Sequence, residues 1–157
     1  IVKLNEAALA DAGDDPVARA EAMRRFVHQY INKKSLDVGL ATASEVAQTR
    51  QGDCTEHAVL LAAMLRADGI PSRTASGLIY VDAALGQQKI FGYHMWAQAW
   101  LDGRWVDLDG TLGPDTPFDA THITLSTSMM DDAGWTNDLV DLAPLMGALK
   151  IEVEQTK

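Results

Sequence analysis

The hydrophobic pattern of this chain changes period at Pro71. Before it, apolar residues recur at helical spacing, as Met23, Phe26, Val27, Tyr30 and Ile31 in one segment and Ala58, Leu61, Ala62 and Leu65 in another. After it, segments near 72–82, 90–101, 104–109 and 121–126 are rich in β-branched and aromatic residues and read as strands. A chain that forms helices first and neighbouring strands second buries both apolar faces by packing its N-terminal helices on an antiparallel β-sheet, so the expected class is α+β.

Length and charge narrow the function classes. The 157 residues suit a single domain spanning 1–157, large enough to bury roughly two-thirds of its unfolded surface without disulfides or metals. No apolar run approaches the ~18 residues of a membrane span. Thirteen Lys and Arg stand against 22 Asp and Glu, a formal charge of −9, which argues against nucleic acid as a partner. One cysteine cannot form an internal disulfide, so cysteine usage leaves the compartment open. The chain starts Ile1-Val2-Lys3, with neither initiator Met nor signal sequence, and is read as a fragment of a longer chain.

Capping signals set the element ends. Asp15-Pro16 opens a helix expected to reach about Lys34. Thr42 with Glu45 forms a capping box for a shorter helix that fades near Arg50, and Gln51-Gly52 follows as a turn. Asp53 with Glu56 caps the next helix, which Gly69 and Pro71 stop, so Cys54 falls at its first position. Residues 83–89 and 110–119 read as loops, 139–146 as a short helix within an ambiguous stretch, and 149–153 as a last strand.

A lone thiol at a helix N-terminus has two readings. Free cysteine commonly serves as a small buried hydrophobe; yet the unpaired N–H groups and dipole of a helix start favour the reactive thiolate. The hairpin signal Asp102-Gly103 separates the two. With Leu101 opposite Arg104, counting outward sets Gln98 opposite Asp107 and Trp96 opposite Asp109, so Asp109 lies diagonal to His94 on one face. A one-residue slip would turn both aspartates away. Cys54, His94 and Asp109 then supply the nucleophile, base and orienting carboxylate of nucleophilic catalysis.

Other residues near these are weaker candidates. His57 is a candidate oxyanion or substrate contact, expected to pack beside the site or fix Glu56, and Gln48 falls within an expected helix. Cys54-x-x-His57 has metal-chelating spacing, but a structural zinc site needs further soft ligands and no second cysteine exists, so no metal is expected. Trp96, Trp100 and Trp105 could line a groove; strand spacing favours core for Trp100 and Trp105 and leaves Trp96 open. His28 and His122 read as structural or exposed. Asp131-Asp132 is too isolated for calcium, and no phosphate loop or dinucleotide fingerprint appears, so no cofactor is expected.

Together, Gly52-Asp53-Cys54 heading an Ala/Leu-rich helix, Gly69-Ile70-Pro71-Ser72-Arg73, Tyr93-His94-Met95-Trp96 and Trp105-Val106-Asp107-Leu108-Asp109-Gly110-Thr111 resemble the transglutaminase-like superfamily in its bacterial form. The resemblance covers roughly residues 42–112 and implies a papain-like core with Cys54 as nucleophile, His94 as general base and acid, and Asp109 as orienting residue. Gln48 stands at the offset where papain-type proteases place an oxyanion-hole glutamine. The family's Asp is commonly followed by Pro, and Gly110 stands there instead, a departure expected to affect the turn rather than the chemistry. The implied activity is cysteine-dependent acyl transfer or hydrolysis on a peptide or carboxamide through a thioester, with a protein or peptide substrate. Peptidase or amidase action is preferred to that of a dedicated transglutaminase, since nothing in the sequence excludes water from a thioester. The rival reading, from another class, is a non-catalytic interaction module that keeps the fold.

Overall fold

The computed structural model describes residues 1–34, 41–84, 87–129, 148–149 and 151. In chain order they form α1 (Val2–Ala8), α2 (Pro16–Tyr30), β1 (Lys33–Lys34), α3 (Ala43–Thr49), β2 (Gln51–Gly52), α4 (Cys54–Ala67), β3 (Ser72–Ala84), β4 (Gln87–Leu101), β5 (Arg104–Leu108) and β6 (His122–Ser128). The main sheet is antiparallel with strand order β5-β4-β3-β6, while β1 and β2 form a small parallel pair. Helices precede an antiparallel sheet, the α+β arrangement expected from the change of period.

Local chemistry fixes most helix ends. Asp15 accepts from the Ala18 amide and Pro16 takes the first helical turn of α2. That helix stops at Tyr30 rather than near Lys34, because the buried Ile31 adopts an extended conformation and sends Lys33–Lys34 alongside Gln51–Gly52. The pair expected as a turn is therefore a short strand, with the Lys33 amide donating to the Arg50 carbonyl at 3.3 Å. Both expected capping boxes are present, Thr42 with Glu45 on α3 and Asp53 with Glu56 on α4. Helix α1 has no side-chain cap and so no signal in the sequence; the Asn5 side-chain amide instead donates to the Met64 carbonyl of α4 at 2.8 Å.

The core lies between α4 and one face of the sheet. Leu60, Leu61, Met64 and Leu65 of α4 join Met23 and Val27 of α2 and Ala97, Ala99 and Leu101 of β4. Strand residues alternate between faces, so His94, Trp96, Gln98 and Trp100 occupy the opposite face of β4. Asp102 and Gly103 both have positive φ, 49° and 76°, as a two-residue turn of this kind demands, and the β4–β5 register runs from Leu101 opposite Arg104 to Ala97 opposite Leu108.

Elsewhere the expectations need correction. The loop expected over 83–89 is largely strand: β3 and β4 continue toward each other until Ala84 faces Gln87, and an edge-to-face Tyr80–Phe91 contact at 5.4 Å helps hold them together. Trp100, expected in the core, is 42% exposed and packs edge-on against Trp105 at 5.3 Å, because on its face of β4 no helix among the described residues covers it. The helix expected at 139–146 lies outside the described residues. Leu149 and Ile151, expected in a last strand, are exposed and carry no regular structure. Among the described residues no helix is long and apolar enough to cross a membrane.

Candidate active site

The start of α4 is built around a carboxylate and a missing side chain. Glu56 Oε2 accepts from the Asp53 amide at 3.0 Å, its Oε1 accepts from the Ala41 amide at 3.1 Å, and Asp53 Oδ1 accepts from the Thr55 amide at 3.0 Å. Glu56 is fully buried, and burial pushes its carboxyl up against the opposing effect of those amides. A Cβ on Gly52 would lie 2.2 Å from Glu56 Cβ, and the φ of 153° there is one that only glycine adopts readily. This compact cap presents Cys54, a partly exposed free thiol, on the first turn. His57, one turn on, is buried and sets Nδ1 2.5 Å from the Asp53 carbonyl, which it braces.

Opposite the cap, His94 and Asp109 meet as the hairpin count requires. Asp109 is acceptor-only, so His94 Nε2–H donates to its Oδ2, at 2.7 Å, with side-chain exposures of 9% and 1%. The other oxygen, Oδ1, accepts from the Thr111 amide at 2.8 Å and the Thr111 hydroxyl at 2.7 Å. Burial pulls the His94 pKa down, but the Asp109 hydrogen bond, a hydrogen bond with Cys54 and the charges of both outweigh it, and the imidazole is raised to about 9. Burial pushes Asp109 up; hydrogen bonds from His122 and His94, the imidazolium charge and the Thr111 amide more than reverse this and hold it well below the usual carboxylate range. With Nε2 turned to Asp109, Nδ1 is the ring nitrogen left for the thiol.

The loop after Asp109 is fastened from below. Arg24, buried on α2, donates through Nη1 to the carbonyls of Asp109 at 3.3 Å and Leu112 at 2.9 Å, and through Nη2 to that of Pro114 at 3.2 Å. Gly110 fits the same junction: a Cβ there would come within 3.2 Å of Val27 Cγ1 and 3.5 Å of His57 Cβ. Glycine at this position thus lets the segment behind Asp109 settle between α2 and α4.

Three weaker candidates are placed as follows. Trp96 is fully buried, so it is not a groove wall open to substrate; its indole N–H donates to Asp107 Oδ1 at 2.7 Å and its ring lies against His94, centroids 6.0 Å apart. Asp107 also accepts from Gln98 Nε2 at 2.6 Å, the cross-strand pair expected from the hairpin. Gln48 is exposed on α3, whose buried residue is Val46. His57 is buried and joined to the cap through the Asp53 carbonyl.

Sequence reasoning missed His122. It begins β6, its side chain is 1% exposed, and its Nε2 lies 3.3 Å from the same Asp109 oxygen that His94 uses. Its neighbours Thr121 and Ile123 carry no motif, and nothing in the spacing links it to Asp109; Phe118, the one aromatic residue of the loop before it, was the available signal of a covered site. His94, Asp109 and His122 could each offer a metal one ligand atom, all within 4.8 Å of one another; here both imidazoles hydrogen-bond to Asp109 Oδ2.

An uncharacterized protein of Mycobacterium leprae is 32% identical over 99 residues, covering 62% of this chain and 32% of that protein. One from Mycobacterium bovis is 31% identical over 121 residues, covering 72% and 35%. The chain therefore spans about a third of the length of these relatives. Among solved structures, a candidate cysteine protease from Cytophaga hutchinsonii superposes with a TM-score of 0.65 at 20% identity, covering 82% of this chain and 42% of that one. A TGase superposes at 0.57 with 15% identity, covering 76% and 33%. The periplasmic domain of TgpA from Pseudomonas aeruginosa does so at 0.50 with 26% identity, covering 70% and 44%. At the identities of the first two, the likeness is one of fold. The transglutaminase-like superfamily model matches residues 6–110, which contain the α4 cap, the strand histidine and the aspartate, and the chain belongs to that superfamily.

Proposed function

We propose that this chain is a cysteine acyl-transfer enzyme acting on peptide or carboxamide bonds, with Cys54, His94 and Asp109 as its catalytic residues and hydrolysis as its outcome. The observation that carries the reading is the buried 2.7 Å His94–Asp109 bond, with Cys54 acting on the same imidazole.

The Cys54 sulfur attacks the carbonyl carbon, and the charge that gathers on the carbonyl oxygen is met by the Cys54 amide in the first turn of α4. The C–N bond breaks as His94 passes its proton to the departing amine or ammonia, leaving a thioester. Water then attacks the thioester, His94 takes its proton, and the carboxylic acid leaves as the sulfur regains a proton from His94. Throughout, Asp109 keeps Nε2 protonated and Nδ1 turned to the sulfur. Water is preferred to an amine as acceptor because Cys54 is partly exposed, so solvent has access to the thioester. Solved structures of similar fold include one described as a candidate cysteine protease and one as a TGase, so the fold by itself favours neither acceptor.

Labelling with iodoacetamide and with peptide and glutamine-mimic electrophiles, mapped by mass spectrometry, tests the reading. Modification is expected at Cys54 and is expected to vanish in Cys54→Ala. His94→Ala is expected to slow alkylation near neutrality at least about tenfold. An unchanged rate in that variant would remove the activated pair from the mechanism.

A further inference from the structure

We propose that His122 is a positioning residue of this site, a second imidazole whose Nε2–H holds Asp109 Oδ2 in line with His94. For its effect on rate this rests on the acyl-transfer reading; its effect on the His94 ring is independent of that reading. Thr111 ties only Oδ1 of the Asp109 carboxylate. Turning about the tied end would carry Oδ2 off the His94 axis. Two N–H groups that reach Oδ2 from different directions, His94 at 2.7 Å and His122 at 3.3 Å, leave it one position.

His122 is held as such a role requires. Phe118 stacks on its ring at 4.0 Å and 28°, and Trp96 meets it edge-on at 5.2 Å and 78°. Its Nδ1 lies 3.3 Å from the Thr121 hydroxyl and 3.8 Å from Asp119 Oδ1. The next residues of β6, Ile123, Thr124 and Leu125, are exposed, so this enclosure belongs to His122 alone among them. A metal role fits less well. Zinc needs each donor about 2.0–2.2 Å away, whereas Oδ2 itself occupies the point where the two N–H directions meet, and the Thr111 bonds to Oδ1 oppose its retreat.

Two variants separate the donor from the packing. His122→Phe keeps an aromatic ring between Phe118 and Trp96 and removes the N–H; His122→Gln keeps an N–H donor and gives up the stack. The readouts are the pH profile of Cys54 alkylation by iodoacetamide and the NMR titration of the His94 ring. His122→Phe is expected to slow alkylation near pH 7 by about ten- to a hundredfold and to move the His94 titration to lower pH. His122→Gln is expected to recover most of both losses. If His122→Phe behaved as wild type while His122→Gln was impaired, the residue would be packing alone and the proposal would fail. Tight zinc binding to the wild-type protein that His122→Phe abolishes would likewise overturn it. Should wild-type Cys54 alkylate no faster than a simple thiol, the acyl-transfer reading is lost, and the ring titration in the two variants still decides the role of His122.

Discussion

Two glycines on either side of α4 show how single residues set the nucleophile's position. Gly52 combines a φ of 153° with a phantom Cβ 2.2 Å from Glu56 Cβ, while Gly69 has a φ of 82° and open space around it. Substitution at Gly69 meets backbone strain alone; at Gly52 it meets strain and a clash with a buried carboxylate that holds the cap. Gly52→Ala is expected to cost about 2–4 kcal/mol and Gly69→Ala about 1 kcal/mol, by urea unfolding. Equal costs would mean that Glu56 yields to a methyl group without penalty. The sequence marked Gly52 as a turn, which is half of its role; the close approach to Glu56 arises from how the cap folds back, and no one-dimensional pattern records it. His122 was hidden for the same reason, since its partner Asp109 lies across a loop whose path the sequence does not specify.

The elements that carry the site were the most legible part of the chain, because each is announced by local chemistry. Capping residues located α3 and α4, and the Asp102-Gly103 turn set a register that brought His94 to Asp109 without a bulge. Elements made by tertiary contact were not legible: α1 is docked through Asn5, and two-residue strands such as β1 and β2 are too short to show a period. Arg24 belongs to this second group. In sequence it is one of two adjacent arginines on α2, yet in the fold its guanidinium fastens the segment from Asp109 to Pro114. Lysine keeps the charge but cannot span several carbonyls with one planar fork. Arg24→Lys is therefore expected to lose about 1–3 kcal/mol of stability and to slow Cys54 alkylation as Asp109 loses its support. Arg25→Lys, on the exposed side of the same helix, is expected to change neither. Matching effects in the two variants would show that the carbonyl clamp does not matter.

At the scale of the whole molecule, the His94–Asp109 pair is a buried charge pair that couples the site to global stability. The two groups act over different pH ranges. His94 is raised from 6.5 to about 9, so its contribution is complete below about pH 6.5 and is lost as pH rises through about 9. Asp109 is depressed below its ordinary 3.8, so its contribution is present above about pH 4 and fades only as pH falls well below that. Both therefore operate fully between about pH 4 and 6.5. Asp109→Asn removes the charge that stabilises the imidazolium, and the formal charge of −9, which also opposes folding as pH rises, changes by only one unit and largely cancels when the variants are compared. The stability difference between wild type and Asp109→Asn, measured by urea unfolding, is expected to be greatest near pH 5–6. It should shrink as pH rises through about 9, where the His94 imidazolium loses its proton. A difference that stayed constant from pH 6 to 9.5 would mean that the folded protein does not favour the imidazolium, and the ion pair would have to be withdrawn from the account of both stability and mechanism.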